Sequence, residues 1–280
     1  MDETFSSIDL ITQCLTDTER TLKFKQAIEE AVKPGDVVLE AGTGSSILSL
    51  FAARAGAKKV IAVEIDPYVA KLAQQNVINN GLEDIIQVIV DDVRNVKLEG
   101  TKAFDVVIME LLTTGMVDEH QVWTVNNLHE RGLVDESTVF IPKRQDTFVT
   151  LSQMNFVEYG LTMRMVMHLW EPFPREEFLS LLSESTLLNS VPFDGQSPLD
   201  FSWKGIFEVN TSGTLNSVYL TSKTILNDSL DVGDTLALNA PVVVPLENDH
   251  IVQKGDRVEC SIGYKFGSGY RNFKADVRVL

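Results

Sequence analysis

Two stretches decide how this chain folds: Val37–Ser46, VVLEAGTGSS, and Val60–Asp66, VIAVEID. In the first, apolar residues and one acid run into Gly42-Thr43-Gly44, and an alanine-rich segment with helical spacing follows. This order predicts a strand, a tight turn and a helix whose N-terminus presents free N–H groups to a ligand. The second is an apolar strand ending in Glu64, and an acid at that offset can accept both hydroxyls of a ribose. Together they predict a site for an adenosine-bearing cofactor.

The composition is that of a globular protein with an acidic balance. The chain has 280 residues, of which 44% are hydrophobic and 23% are charged, enough for one large domain or two smaller ones. Lys and Arg number 24 against 40 Asp and Glu, a formal net charge of −16, which argues against a nucleic acid as the main partner. A cationic partner or simply a solvated acidic surface accounts for such a charge.

The cysteines and the N-terminal residues indicate the cellular compartment of the protein. Cys14 and Cys260 lie far apart and form no CxxC, so neither a disulfide framework nor a zinc site is expected, and the four histidines lack metal-ligand spacing. The start, MDETFSSIDL, is not a signal peptide, and no apolar run approaches the ~18 residues of a membrane helix. We predict a cytoplasmic protein without a metal or membrane contact.

Strand and helix patterns alternate from Pro34 to Pro142. Continuous Val/Ile strands between helices predict a parallel sheet covered on both faces, whose ligands bind at the carboxyl ends of the strands. Four acids fall at those ends: Glu40, Glu64, Asp92 and Glu110. The predicted strands are Val37–Ala41, Val60–Ile65, Ile85–Val90, Phe104–Met109 and Ser137–Ile141, and the predicted helices are Ile47–Ala57, Tyr68–Asn79 and Val117–Leu128.

The remainder of the chain has different hydrophobic patterns. Before the sheet, Met1–Ala31 is predicted to be helical, with Asp17 as an N-cap. After Pro142, alternating or β-branched segments separated by turns predict an antiparallel barrel or sandwich, with a leucine-rich helix at Glu176–Leu188. The predicted strands are Thr147–Gln153, Thr162–Leu169, Gly205–Val209, Ser217–Ile225, Val258–Tyr264 and Phe273–Leu280. We therefore expect an α/β fold: a helical segment (1–34), a Rossmann-like parallel sheet (35–143) and a smaller antiparallel, barrel-like domain (144–280).

The first half resembles the class I S-adenosylmethionine methyltransferases, and within them the protein arginine methyltransferases. The resemblance runs from Asp17 to Ser152 and, more weakly, from Gly255 to the end. The motif Asp17-x-x-Arg20-Thr21-Leu22-x-Phe24 is similar to the family's DxxRTLxY. There the arginine binds the cofactor carboxylate, so the resemblance assigns that role to Arg20, by a guanidinium–carboxylate fork. A helix-surface arginine is the alternative.

The glycine turn carries a second match. VLEAGTGSSILSLFAARAGAKKVIAVEID is similar to the family's VLDVGxGTGILSxFAAxAGAxxVxxxE, with Ser46 in place of the third glycine, which is tolerable if φ there is negative. Asp91-Asp92-Val93 follows the third strand, the usual place for contacts to adenine, although acids in a surface turn are equally ordinary. The resemblance implies S-adenosylmethionine as cofactor, bound by Arg20, Gly42, Thr43, Gly44, Glu64, Ile65, Asp92 and Val93.

The fourth strand leads into a pair of acids. The family has two glutamates in a loop, E-W-M-G-x-x-x-x-x-E, and Glu110 and Glu119 have the same separation. Two converging carboxylates can hold a guanidinium by charge-assisted hydrogen bonds, with its nitrogen in line with the methyl group. We therefore assign the catalytic role to Glu110 and Glu119. The alternative for Glu119 is a solvated acid in the first turn of a helix that begins near Val117.

Several family features are missing. The loop lacks the Trp and has Gly115-Met116 in inverted order, and the aromatic N-terminal motif is absent. The family's Thr-His-Trp loop falls in register on Ala237-Leu238-Asn239, while His168-Leu169-Trp170 lies elsewhere on a predicted strand. The segment Glu171–Leu188 is a reduced dimerisation arm or a connecting helix. The cofactor site is matched, whereas the acceptor site is matched in part.

The sequence thus predicts an S-adenosylmethionine-dependent N-methyltransferase that acts on a cationic, guanidinium-type acceptor on a protein, a peptide or a small molecule. One alternative keeps the cofactor and changes the acceptor to another small molecule or protein side chain. Another is a non-catalytic, cofactor-binding scaffold. RNA methylation is disfavoured by the charge. The resemblance implies a homodimer, against which the short arm argues.

Overall fold

Two helices precede the sheet that carries the glycine turn. A computed structural model describes residues 7–98, 103–170 and 173–280. Helix α1 (Ile8–Thr16) and helix α2 (Thr18–Ala31) are separated at Asp17, which has an extended backbone and accepts a hydrogen bond from the Arg20 N–H at 3.1 Å. Asp17 therefore caps α2, as predicted, but the predicted helical segment is two helices because the capping residue cannot continue the first one. Its first six residues lie outside the described part of the chain.

A five-stranded parallel sheet forms the N-terminal half. Its strands are β1 (Val37–Ala41), β2 (Lys59–Glu64), β3 (Ile86–Val90), β4 (Val106–Met109) and β5 (Val139–Ile141), with helices α3 (Ile47–Ala55), α4 (Pro67–Asn79) and α5 (Gln121–Glu130) between them. The strand order is β3-β2-β1-β4-β5, and every pairing is parallel. The order changes direction between β1 and β4, where open α/β sheets bind their ligands. The predicted Rossmann-like sheet is confirmed.

The second half is built from antiparallel sheets, as predicted. In chain order its elements are β6 (Arg144–Met154), β7 (Val157–Glu158), β8 (Leu161–Thr162), β9 (Met167–His168), α6 (Arg175–Phe178), β10 (Leu179–Leu181), β11 (Thr186–Pro192), β12 (Asp200–Glu208), β13 (Gly213–Ile225), β14 (Asp231–Val232), β15 (Val242–Val252), β16 (Arg257–Lys265) and β17 (Lys274–Val279). One sheet runs β10-β6-β13-β15-β9 and another β12-β16-β17. Closure into a barrel and the domain boundaries at 34/35 and 143/144 stay predictions.

Two predicted elements of this half are wrong. The helix at Glu176–Leu188 is a single turn, α6, followed by β10 and β11, because both strands pair with the long strand β6. Pairing with a neighbouring strand outweighs the local leucine spacing there. The predicted strand Thr162–Leu169 exists only at its two ends, since Met163 and Met165 are exposed and pair with no strand. The long strand β15 was not predicted.

The predicted helix Val117–Leu128 starts later, at Gln121. A short 3-10 turn, Thr114–Met116, comes first, with positive φ at Gly115 (73°) and Met116 (50°). The C-terminal half fixes this turn: the Gly115 N–H donates to Ser222 Oγ at 3.0 Å, and Tyr264 Oη donates to the Gly115 carbonyl at 3.0 Å. The loop after β4 is thereby held between the two halves.

One large hydrophobic cluster contains buried residues of both the parallel sheet and the antiparallel sheets. Met109 at the end of β4 and Met116 in the following loop are almost completely buried in it. Burial on both sides makes the position of this loop dependent on both halves of the chain. No helix in the described ranges has the length and apolar character needed to cross a membrane.

Candidate active site

The glycine turn has the shape that close approach of a ligand requires. Gly42 and Gly44 have φ of 77° and 52°, and the N–H groups of Gly42 and Thr43 both donate to the Val63 carbonyl, at 2.9 and 3.0 Å. A Cβ on Gly42 would lie 2.7 Å from Leu111 Cδ2. Glycine is required by both the backbone conformation and the space. The turn therefore offers a narrow backbone surface at the carboxyl end of β1, which fits an adenosine-bearing cofactor.

Ser46 corrects one expectation. Its φ is 63°, not negative, and its side chain is fully buried. The hydroxyl donates to the carbonyls of Ser45 and Ala73, at 2.7 and 3.1 Å, which ties the turn to α4. These hydrogen bonds offset the cost of a left-handed conformation at a residue with a Cβ.

Glu64 closes the turn from β2. One of its carboxylate oxygens, Oε2, accepts the Gly44 N–H at 2.9 Å, and the other, Oε1, accepts the Asp66 N–H at 3.0 Å. The side chain is buried, and both oxygens are fixed at the end of the strand. A carboxylate has about four lone-pair positions, so hydroxyl donors of a ribose can be added to these bonds. Ile65, which follows, is half exposed beside it.

Glu40 at the end of β1 stabilises the glycine turn by hydrogen bonds. Its Oε2 accepts hydrogen bonds from Thr43 Oγ1 at 2.5 Å, from the Ser49 N–H at 3.1 Å and from the Ser49 hydroxyl. Burial raises the pKa of this carboxyl to about 7, against the lowering effect of the hydrogen bonds from Ser49 and Thr43. Glu40 thus fastens the turn to α3, and the Thr43 hydroxyl is used in that contact.

The acid after β3 is paired within its own loop. Arg94 donates from Nε to Asp92 Oδ1 at 3.0 Å and from Nη2 to Oδ2 at 2.7 Å, and these bonds lower the pKa of Asp92. Val93 is buried between them and contributes to the core. The segment lies at the carboxyl edge of the sheet, as its place after β3 predicts.

Arg20 and Glu110 form a buried ion pair. Arg20 Nε donates to Glu110 Oε2 at 2.9 Å, and Nη2 donates to the same oxygen. Nη1 donates to the Cys14 carbonyl at 3.1 Å, and the guanidinium lies 5.3 Å from the centre of the Phe24 ring. Only 6% of the Arg20 side chain and 9% of the Glu110 side chain are exposed. These bonds use three of the five N–H groups of the guanidinium and one of the two oxygens of the carboxylate.

Glu119 follows Asp118 in the loop after β4. No group in the described ranges donates to its carboxylate. Burial raises its pKa well above the ordinary value, and the nearby charges of Glu110 and Asp118 raise it further, while Arg20 lowers it. The structure therefore brings Glu110 and Glu119 close enough for their charges to interact at the carboxyl end of β4.

Sequence reasoning missed part of this site. The Asp118 carboxylate lies 3.7 Å from His168 Nε2, and the His168 ring packs against Trp170 and Tyr270. The acid next to Glu119 was the available signal, but the strand that brings His168 to it pairs with β15, which was not predicted. The segment in register with the family's Thr-His-Trp loop contacts the cap of α2: the Ala237 N–H donates to Asp17 Oδ2 at 2.9 Å.

The sequence and fold of this chain match known methyltransferases. The family model of the ribosomal protein L11 methyltransferase (PrmA) matches residues 18–159. An uncharacterized protein of Methanocaldococcus jannaschii is 34% identical over 265 residues, which is 94% of each chain. An arginine N(omega)-methyltransferase of Streptomyces achromogenes is 33% identical over 46% of this chain and 36% of its own length.

A solved structure shares the whole fold. The PRMT1 enzyme-prozyme heterotetrameric complex of Trypanosoma brucei, solved with AdoHcy, has a chain that superposes with a TM-score of 0.79. It covers 99% of this chain and 94% of its own, at 20% sequence identity. The likeness extends over both the parallel and the antiparallel sheets. The chain belongs to the PrmA methyltransferase family and is an S-adenosylmethionine-dependent methyltransferase with an arginine-methyltransferase-like fold.

Proposed function

We propose that this enzyme transfers a methyl group to a nitrogen of a cationic, guanidinium-type acceptor carried by a protein, a peptide or an arginine-like small molecule. The observation that carries the proposal is the pair of carboxylates after β4. Glu110 Oε1 accepts no hydrogen bond from the described residues, and the Glu119 carboxylate accepts none either. Two such groups can each accept N–H donors from one guanidinium.

For the cofactor we assign the residues around the glycine turn. Gly42 and Gly44 let the cofactor approach the backbone, and Glu64 accepts its ribose hydroxyls, beside Thr43 and Ile65. The two N–H groups of Arg20 that are not used in hydrogen bonds suit the cofactor carboxylate.

The adenine is assigned to the loop after β3. Its residues are Asp92 and Val93, and Asp92 is already held by Arg94. A backbone held in this way presents its peptide groups in one orientation, which suits a planar base.

The bound cofactor supplies an electrophilic methyl group on a sulfonium. Glu110 and Glu119 orient the acceptor so that one nitrogen lies in line with that group, which lowers the barrier by positioning and electrostatics. As the N–CH3 bond forms, the S–CH3 bond breaks, and the acceptor nitrogen releases one proton. We assign this proton to Glu119, since burial and its acidic neighbours raise the pKa of that carboxyl.

The names of two similar proteins support an acceptor of this class, since one is called an arginine N(omega)-methyltransferase and the other PRMT1. A second candidate is another protein side chain, such as a lysine ammonium, since the matching family model is named for a methyltransferase of a ribosomal protein. Both acceptors are cationic and fit a chain with a net charge of −16, whereas a nucleic acid does not. The homodimer stays a prediction, and the segment expected to form its arm is β10 and β11 instead of a helix.

Radiolabelled methyl transfer from S-adenosylmethionine tests the proposal. The probes are the peptide Gly-Gly-Arg-Gly-Gly, its lysine analogue and free L-arginine, followed by hydrolysis and identification of the labelled residue. Glu110→Gln and Glu119→Gln are each expected to lower turnover by about a hundredfold. The exposed Glu136→Gln is the matched control. Label in methyllysine alone would establish the second candidate, and unchanged turnover in both variants would remove the carboxylate pair from the mechanism.

A further inference from the structure

A half-exposed cluster of polar and aromatic side chains lies beside the acceptor loop. It is formed by Asp118 of that loop, by His168 of β9 with the following Trp170, and by Tyr270 of the turn after β16. The His168 ring stacks on Trp170 with centroids 6.4 Å apart and meets Tyr270 edge-on at 5.7 Å. These four residues are called the aromatic recess below. Asp118 directly precedes Glu119, so the recess adjoins the proposed acceptor site.

The polar atoms of the aromatic recess are not paired with each other. His168 Nε2 is 3.7 Å from Asp118 Oδ2, which is too long for a hydrogen bond, and no group in the described ranges donates one to that carboxylate. The Tyr270 hydroxyl is buried and has no hydrogen-bond partner within the same ranges. Buried polar groups are nearly always satisfied. The Tyr270 hydroxyl is closed off from solvent, whereas the Asp118 side chain is partly exposed, so the carboxylate is the group to which a ligand can donate.

The charge of the aromatic recess indicates which charge a ligand there should carry. Burial raises the pKa of Asp118 to about 6 and lowers the pKa of His168. At neutral pH the carboxylate is therefore mostly ionised, whereas the imidazole is uncharged. A carboxylate beside an imidazole that packs against two aromatic rings suits a cation, which can gain both an ion pair and cation–π contacts.

The walls of the aromatic recess are fastened to each other. The Gly267 N–H donates to the Met116 carbonyl at 3.0 Å, and the Gly269 N–H donates to the Val117 carbonyl at 2.9 Å. A Cβ on Gly267 would lie within 3.0 Å of atoms of His120, Trp123 and the Glu119 carbonyl. The turn that carries Tyr270 and the loop that carries Asp118 are thus held in one arrangement. A ligand in the recess would meet a preformed site.

We propose that the aromatic recess is a second acceptor subsite, which binds an ammonium or guanidinium group of the acceptor next to the group to be methylated. The inference rests on the proposed function. The cation donates hydrogen bonds to Asp118 and lies against the rings of Trp170 and Tyr270. It can come from a basic residue next to the target in a peptide or from the α-ammonium of free arginine. The recess then sets a preference for acceptors with two cationic groups.

A binding measurement tests the recess without any turnover. The probe is n-butylammonium. Its binding is followed by NMR through the chemical shift of the Trp170 indole N–H, and that signal is assigned by its absence from the Trp170→Phe variant. We expect a saturating shift in the wild type and at least about tenfold weaker binding in Asp118→Asn. The exposed Asp84→Asn removes the same charge elsewhere and should bind as the wild type does. An unshifted wild-type signal, or equal binding by Asp118→Asn, would overturn the proposal.

Kinetics then separate the two sources of the cation. The first pair of probes is N-acetylated Gly-Gly-Arg-Gly-Gly and N-acetylated Gly-Gly-Arg-Lys-Gly, and the second is Nα-acetyl-L-arginine and L-arginine. In at least one pair, we expect the acceptor with two cationic groups to have a KM about tenfold lower than that of the acceptor with one. In the Asp118→Asn and Tyr270→Phe variants the two KM values should lie closer together. Equal KM values within both pairs would overturn the subsite. If n-butylammonium binds at Asp118 but no arginine probe is methylated, the proposed function fails while the cation site stands.

Discussion

Arg20 and Glu110, ninety positions apart in the chain, are joined by two hydrogen bonds to a single carboxylate oxygen in a buried setting. The pair links the helix before the sheet to the end of β4. It leaves N–H groups on one partner and an oxygen on the other for additional ligands. The residue we assign to the cofactor and one residue we assign to the acceptor therefore hold each other in place.

Breaking this ion pair is expected to cost stability as well as activity. Glu110→Gln leaves the Arg20 charge buried with a weaker partner, so the free energy of unfolding should fall by about 3 kcal/mol. Urea unfolding of Glu110→Gln, Arg20→Met and the double variant measures the coupling. The double variant should lose less than the sum of the single losses. Strict additivity would mean that the two side chains do not stabilise one another.

Acceptor binding should strengthen with pH because of Glu119. Its pKa is raised well above the ordinary range by burial and by Glu110 and Asp118, so at lower pH the acid keeps its proton and cannot pair with a cation. The KM for an arginine peptide should therefore fall as pH rises through the range, above that of an ordinary carboxyl group, in which Glu119 loses its proton. The measurement is KM across that range for the wild type and for Glu119→Gln. In the variant this part of the pH dependence should disappear, and its persistence would assign the titration to another group.

Glu40 gives the protein a pH-dependent stability. Its pKa is about 7 in the folded state against an ordinary 4.5, so the unfolded chain loses this proton first as pH rises. Native stability should fall between those two values, by about 3 kcal/mol in all, and level off above pH 7. Glu40→Gln keeps an oxygen for Thr43 and Ser49 but cannot titrate. The wild-type free energy of unfolding minus that of the variant should decrease as pH rises from 4.5 to about 7. A difference that does not change with pH would contradict the assignment to Glu40.

The glycine turn can be tested by a pair of alanine substitutions. Gly42 and Gly81 both have positive φ, but only Gly42 has a neighbour, Leu111, where a Cβ would stand. Gly81→Ala should cost about 1 kcal/mol of stability, from backbone strain alone. Gly42→Ala should cost more and also weaken S-adenosylhomocysteine binding by at least about tenfold, since either the Leu111 side chain or the turn must shift. Calorimetric titration measures the affinity, and equal affinities in the two variants would place the cofactor away from this turn.

Local patterns predicted the parallel sheet closely. Strand β1 has the predicted bounds, and β2, β3 and β4 differ from theirs by one or two residues, because buried strands of Val and Ile between capped helices give a clear signal. The turn at Gly42 and Gly44 and the cap at Asp17 were also visible, since each depends on one residue type at one position. The leucine-rich segment Glu176–Leu188 was misread because its paired residues in β6 lie 25 (Leu179 and Met154) to 39 (Leu187 and Phe148) positions away in the sequence.

The sequence alone determined the class of protein. The deciding features are a glycine turn after the first strand of a parallel sheet, an acid at the end of the second strand, and two acids after the fourth. These features are local, and each follows from the conformational preferences or charge of a few adjacent residues. Tertiary structure alone decided that Arg20 pairs with Glu110, that Ser46 tolerates a left-handed conformation, and that His168 meets Asp118. Those relationships join residues dozens of positions apart, and they depend on pairing and packing between elements that no local pattern specifies.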